Sequence, residues 1–168
     1  LAAVAGMALA DVDEDGESEL VTYDNTNSVV VFERDGSRLW TAGTAENFSS
    51  QYELTVADVD GDDEPEVVTE NRVYNGITGA VEADLGLFGG ASFFGPRGYT
   101  PVVGDIDLDG EQEIMIGNEV HSPDGTVEWT HDVLGDYGHW GAFVNVDGDD
   151  EGEVIAVGAS RIGIYEHD

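Results

Sequence analysis

Apolar residues along this chain fall in short runs bounded by glycine, asparagine and aspartate, and no segment carries a sustained apolar stripe at helical spacing. Four runs share one form: "ELVTYD", "EVVTEN", "EIMIGN" and "EVIAVG". Each is rich in β-branched residues and too short for a helix. A second apolar or aromatic run follows each of them: "VVVFERDGSRLW", "RVYNGITGAVEA", "EVHSPDGTVEW" and a shorter "RIGIYEHD". Asp35–Gly36, Asn75–Gly76 and Asp124–Gly125 sit inside these runs as hairpin dipeptides. With 23 glycines and 4 prolines, tight turns are available and few strands are interrupted. The pattern predicts an all-β chain in which each unit is strand, acidic loop, strand, link, strand, hairpin, strand. That is one four-stranded antiparallel sheet, the size of a β-propeller blade. About four repeats result, over residues 1–47, 48–94, 95–136 and 137–168, in a single propeller domain or propeller segment. The opening "LAAVAGMALA" lacks a basic start and runs into acids, so it reads as a strand and not as a signal peptide.

The polar positions repeat as strictly as the apolar ones. "DVDEDGESE" from Asp11, "DVDGDDEPE" from Asp58, "DIDLDGEQE" from Asp105 and "NVDGDDEGE" from Asn145 fit one pattern, [DN]-x-D-x-D-[GD]-x-x-E. Their starts are 47, 47 and 40 residues apart, a spacing typical of repeat arrays. Carboxylates at positions 1, 3 and 5 of a tight loop can turn to one centre, position 7 can offer a backbone carbonyl, and the acid at position 9 can close the shell. Oxygen ligands in a flexible shell suit Ca²⁺ better than Mg²⁺ or Zn²⁺. An EF-hand would close at position 12 within a helix; here the last acid comes at position 9 and a β-run follows.

The candidate ligands are therefore Asp11, Asp13, Asp15, Glu17 and Glu19; Asp58, Asp60, Asp62, Glu64 and Glu66; Asp105, Asp107, Asp109, Glu111 and Glu113; and Asn145, Asp147, Asp149, Glu151 and Glu153. Up to four Ca²⁺ are expected. Position 6 needs a left-handed residue: Gly16 and Gly110 supply it, whereas the second and fourth loops carry Asp63 and Asp150 there. Asn145 removes one charge, so the fourth loop is expected to bind most weakly.

Composition supports ligation over a merely solvated surface. The chain has 168 residues, 37 acids and 5 arginines, no lysine and a formal net charge of -32; 22 of the acids lie in the four nine-residue loops. Such a balance excludes nucleic acid and anionic membrane surfaces as partners. Cysteine is absent, so there is no disulfide framework or thiolate chemistry, and no apolar stretch is long enough for a membrane span.

At these loops the chain resembles the FG-GAP (integrin α-subunit-like) repeats and the VCBS-type repeats of bacterial surface and secreted proteins, which pair such loops with four-stranded blades. Glu at position 9 brings it nearer the bacterial type. The resemblance implies a calcium-stabilised extracellular or cell-surface propeller, non-enzymatic, serving as a scaffold, adhesion or interaction module for a protein or carbohydrate ligand. Such propellers commonly have more than four blades, so a fragment or a pairing half is favoured over a closed ring, with self-association through open blade edges.

The alternative is a propeller portion of a polysaccharide lyase-like enzyme, for which His121, His131, His139, Arg97 and Arg161 are the available bases and cations. None of them falls in a recognisable catalytic spacing. His121 and His131 read as turn or strand-end residues. Trp40 and Trp129 occupy matching places after their hairpins and read as blade packing, while the Gly-rich, aromatic segment from Leu85 to Tyr99 is the place for a ligand loop.

Overall fold

A computed structural model describes residues 6–42, 53–86, 100–131, 140–158 and 161–167. Its strands form separate antiparallel sheets whose members pair in chain order. Blade 1 holds β1 (Met7–Ala10), β2 (Glu19–Tyr23), β3 (Val29–Phe32) and β4 (Arg38–Thr41). Blade 2 holds β5 (Thr55–Ala57), β6 (Glu66–Val68), β7 (Arg72–Asn75) and β8 (Val81–Asp84). Blade 3 holds β9 (Val102–Gly104), β10 (Glu113–Ile116), β11 (Glu119–His121) and β12 (Val127–Thr130). Blade 4 holds β13 (Trp140–Val144), β14 (Glu153–Val157) and β15 (Ile162–Tyr165), three strands among the described residues. The chain is thus all-β and built of blades, and every acidic loop joins the first strand of a blade to its second.

The second strands do not alternate apolar with polar because both of their faces are covered. Val67 packs toward blade 1 with Val21, Val31 and Trp40, while its neighbour Val68 packs toward blade 3 with Ile114 and Ile116. Met115 turns the other way, to Val154 of blade 4. Each fully buried Val or Ile contributes roughly 1.5–3 kcal/mol by leaving water. The core is therefore a set of layers between blades. Trp40 and Trp129 lie in these layers: the Trp40 indole N–H donates to the Gly76 carbonyl of blade 2 at 2.6 Å, and Trp129 packs 6.4 Å from Tyr165 of blade 4.

The loops take part in this packing. Position 2 is apolar in every loop, and Val12, Val59 and Ile106 are buried where each wedges between its own blade and the next. Their carbonyls face the next blade as well. The position-8 amide of loop 3, Gln112, donates to Val59 O at 2.9 Å, and that of loop 4, Gly152, donates to Ile106 O at 2.7 Å. Loop 2 has Pro65 at this place, which has no N–H to give. There Gly76 links the loop to its own blade, donating to Pro65 O at 3.0 Å, and its carbonyl receives the Trp40 indole N–H from blade 1.

This corrects the reading of Asn75–Gly76 as a hairpin dipeptide. The left-handed residue of that turn is Gly79, at φ 69°. Gly76 is required for close approach: a Cβ there would lie 2.1 Å from Pro65 O and 3.0 Å from Val12 O. Gly76→Ala is therefore expected to push the blade-2 turn away from Pro65 and crowd the Val12 carbonyl of blade 1, at a cost of about 1–3 kcal/mol or more, read as a lowered midpoint in urea. An unchanged midpoint would show that the junction yields freely.

At the two ends of the array apolar side chains face outward. Met7 and Leu9 of β1 are 62% and 74% exposed, and Ile162 and Ile164 of β15 are 69% and 58% exposed. Val146, the position-2 residue of loop 4, is 49% exposed where its three counterparts are buried. Residues 1–5, half of the opening apolar stretch, lie outside the described residues.

Candidate functional site

Four loops with one sequence pattern fold into one hydrogen-bond pattern. The amide of position 5 donates to the position-3 carboxylate in all of them: Asp15 to Asp13 at 3.3 Å, Asp62 to Asp60 at 3.2 Å, Asp109 to Asp107 at 3.1 Å and Asp149 to Asp147 at 3.1 Å. The amide of position 7 donates likewise to position 5, at 2.8, 2.8, 2.9 and 3.2 Å. In the first three loops the position-6 amide donates to the first aspartate, Asp11, Asp58 or Asp105. Most of these aspartates thus spend one oxygen on the loop's own backbone and leave the other for a ligand; Asp58 accepts with both, from the Gly61 amide at 2.9 Å and the Asp63 amide at 3.1 Å. That is why alternate positions must be Asp: the side chain is short enough to reach two residues ahead.

The winding needs left-handed residues at two places. Position 6 is one in loops 1 to 3, at Gly16 (φ 89°), Asp63 (φ 75°) and Gly110 (φ 101°); in loop 4 Asp150 does not take the left-handed backbone expected there. Position 4 is the other, at Glu14 (φ 61°), Gly61 (φ 75°), Leu108 (φ 63°) and Gly148 (φ 95°). The glycines at position 4 of loops 2 and 4 thus meet a demand that loops 1 and 3 meet with strained side-chain-bearing residues.

Position 9 has a second role. Glu19, Glu66, Glu113 and Glu153 are all buried, between 0% and 3% exposed. In each, Oε2 accepts the amide of position 2: Val12, Val59 and Ile106 at 2.8 Å, and Val146 at 2.6 Å. Glutamate ties the base of the loop and keeps a second oxygen for the centre. Burial raises the carboxyl of Glu19, and raises those of Glu66 and Glu113 to about 7; the position-2 amide opposes the rise and the loop aspartates add to it.

The geometry fits a cation. Among the described residues, carboxylate oxygens of Asp11, Asp13 and Asp15, of Asp58, Asp60 and Asp62, and of Asp105, Asp107 and Glu113 lie within 4.8 Å of one another in each group. A fourth group joins Asp147, Asp149 and Glu153 to Glu166, which the loop pattern does not contain. Like charges about 4 Å apart repel by about 1 kcal/mol in water and about 4 kcal/mol near a protein surface. Asp11 Oδ1, Asp105 Oδ1, Glu19 Oε1 and Glu153 Oε1 are buried with no protein hydrogen-bond partner. Acceptor-only oxygens in that state need a cation or a donor. The groups do not gather every expected ligand: Glu19, Glu66 and Asp109 stand outside them, and Asn145 is held by hydrogen bonds from the Gly148 amide and to the Asp149 carbonyl.

The side chains of position 7 turn to the end of the third strand. Glu17 pairs with Arg34 at 3.1 Å, Glu151 with His167 at 3.8 Å, and Glu64 meets the Asn75 amide at 3.5 Å. Further acids face the loops from the same outer region. Burial and the charges of Asp13, Glu19 and Asp15 raise the Glu33 carboxyl. Burial and loop carboxylates do the same to Glu82 and Glu128 on the outermost strands. These residues have no place in the nine-residue pattern; they become visible only once strand pairing folds them back over it.

The candidate bases fall elsewhere. His121 is fully buried, with Nδ1 3.2 Å from Gly125 O, and His131 is 4% exposed, with Nε2 3.1 Å from Gly117 O and its ring stacked 5.3 Å from Tyr165. His139, Arg97, Phe93–Phe94 and residues 87–99 of the Gly-rich segment lie outside the described residues. A cleft between blades 2 and 3 is lined by Asp60, Glu82, Glu111 and Asp124 beside Val59 and Val73, and is acidic.

The sequence matches no protein-family profile and no curated protein. The fold does match solved structures. It is similar to the V. cholerae biofilm matrix protein Bap1, with a TM-score of 0.72 and 22% identity over 97% of this chain and 27% of that one. It is also similar to BamB from Moraxella catarrhalis, with a TM-score of 0.56 and 17% identity over 92% of this chain and 46% of that one. A third likeness is to the exotype rhamnogalacturonan lyase YesX, with a TM-score of 0.50 and 14% identity over 98% of this chain and 47% of that one. The chain spans less than half the length of each. At these identities the likeness shows a shared all-β blade architecture.

Proposed function

We propose that this chain is a calcium-rigidified β-propeller segment of FG-GAP or VCBS type that acts outside the cell as a non-catalytic scaffold or interaction surface. The observation that carries the reading is the four-fold recurrence of one acidic loop whose carboxylates cluster within ligating reach of one another, with buried, unpartnered acceptor oxygens in loops 1, 3 and 4. Calcium suits it because every donor is an oxygen and millimolar extracellular calcium is enough: loops of extracellular modules bind at roughly 10⁻⁴ to 10⁻³ M. The loops lie at the joints between blades, so a bound ion stiffens the array, and metal binding is coupled to folding. The likeness to a biofilm matrix protein accords with a structural task in an extracellular setting.

The lyase alternative draws on the likeness to YesX. Against it stand the acidic cleft, and His121 and His131 committed to backbone carbonyls inside the protein. A panel of acidic and neutral polysaccharides, followed by absorbance of unsaturated product ends, separates the two readings. No turnover is expected with calcium present. Turnover that disappears in His139→Ala while calcium binding persists would establish the enzyme instead.

A further inference from the structure

We infer that Glu166 is a cation ligand of the fourth loop and replaces Asn145 there. The inference rests on the calcium reading of the loops and adds a ligand that their sequence pattern does not contain.

Three observations meet at this site. Asn145 is already engaged: its Oδ1 accepts the Gly148 amide at 3.0 Å, and its Nδ2 donates to the Asp149 carbonyl. A carboxamide whose NH₂ faces the loop in this way braces the turn and brings no charge. Next, a carboxylate oxygen of Glu166 lies within 4.8 Å of those of Asp147, Asp149 and Glu153. Finally, Glu153 is 2% exposed and its Oε1 has no hydrogen-bond partner, while its Oε2 is held by Val146. That is a buried acceptor awaiting a positive group.

The charge count then matches the other loops. Positions 1, 3, 5 and 9 offer four carboxylates in each of the first three loops, but only three in the fourth. Glu166 restores the fourth. Strand pairing explains how it arrives. β15 pairs with β14 so that Tyr165 lies opposite Val154, the residue after Glu153; Glu166, one step further, emerges beside the loop. His167 follows and reaches Glu151 of the same loop at 3.8 Å. Blade 1 has the same construction. Phe32 lies opposite Leu20, Glu33 is the next residue, and Arg34 reaches Glu17 at 3.1 Å. An acid followed by a base, at the same register in two blades, thus folds the end of the third strand over the loop. The fourth site is completed only when β15 is paired, so its ion fastens that strand to the blade. It also follows that the fourth loop is not the weakest of the set.

The test is calorimetric titration of calcium into the full chain and three variants, with folding checked by circular dichroism. Wild type is expected to take four ions. Glu166→Gln should weaken one site by about tenfold or more, because affinity in such loops follows the number of charged ligands. Glu53→Ala, at an exposed position outside the loops, should stay within about twofold of wild type, and Asn145→Asp combined with Glu166→Gln should recover much of the loss. Four unchanged sites in Glu166→Gln would overturn the inference and leave the calcium reading standing. A wild-type chain that takes no calcium would overturn both. A crystal structure of the wild-type chain grown in calcium decides the matter even if a variant fails to fold: a Glu166 oxygen about 2.3–2.6 Å from the loop-4 ion is expected, and an ion bound by Asn145 with Glu166 turned away would refute it.

Discussion

Removing divalent cations with a chelator should lower the melting temperature of this chain by about 12–24 °C. At calcium tenfold above Kd each filled site adds about 1.4 kcal/mol, four sites add about 6 kcal/mol, and in a chain of this size each kcal/mol moves the melting temperature by roughly 2–4 °C. The sites are expected to act together because they sit in one load path. Position 2 of loops 1 to 3 is wedged under the next blade, and position 8 of loops 3 and 4 is hydrogen-bonded to the preceding loop. Loosening one loop therefore loosens two blades. Asp107→Ala, which removes one ligand of loop 3, should reproduce a fraction of the shift in calcium and none of it in chelator. Glu53→Ala, at an exposed position outside the loops, should be neutral in both. Thermal scans of the three proteins with and without calcium decide this. Equal shifts for the two variants in calcium would show that the loops are ordinary acidic turns.

The metal-free chain should become less stable as pH rises from about 4.5 to about 7, and calcium should abolish or reverse that trend. The carboxyls of Glu66 and Glu113 are raised from 4.5 to about 7 in the folded protein, chiefly by burial. Between those values the folded chain holds more protons than the unfolded chain does. Their stabilising contribution is fully present below the unfolded value and is lost as pH rises through the folded value. Calcium favours the ionised form, so its binding should release protons and tighten across the same interval. Glu113→Gln separates the two states. Its side-chain carbonyl can still accept the Ile106 amide, now at 2.8 Å from Glu113, but no charge is buried. Near pH 7.5 the substitution should raise the melting temperature in chelator and lower it in calcium. Chemical denaturation across pH, with and without calcium, reads both effects. A shift of the same sign in both conditions would mean that Glu113 serves only as a hydrogen-bond acceptor.

The blades and the loops were legible because both depend on local chemistry repeated in register. Short β-branched runs such as Glu66–Val68 cannot be helices, and alternate aspartates before a glycine can close only on themselves. What was hidden depends on neighbours distant in sequence. Gly76 resembles a hairpin glycine until Pro65 O is found 2.1 Å from where its Cβ would be. Glu14 and Leu108 carry no turn signature; the aspartates on either side of them impose their left-handed backbone. Position 9 reads as a ligand, and only the fold shows that it also holds the position-2 amide. The expectation that loop 4 binds most weakly rests on Asn145 alone; Glu166, thirteen residues beyond Glu153, lies outside the nine-residue pattern and joins the cluster only through the fold. Blade 4 likewise ends at β15 among the described residues, and the exposed Ile162 and Ile164 show a face whose equivalents elsewhere in the array lie between blades.

Each of the four loops is expected to hold one calcium ion. Titration of calcium into chelator-stripped protein near pH 7.5, repeated in buffers of different ionisation enthalpy, tests it most directly. Four equivalents per chain, with protons released on binding and no comparable uptake of magnesium, is the predicted result. Calcium uptake of fewer than three equivalents, or magnesium binding as tight as calcium, would contradict it.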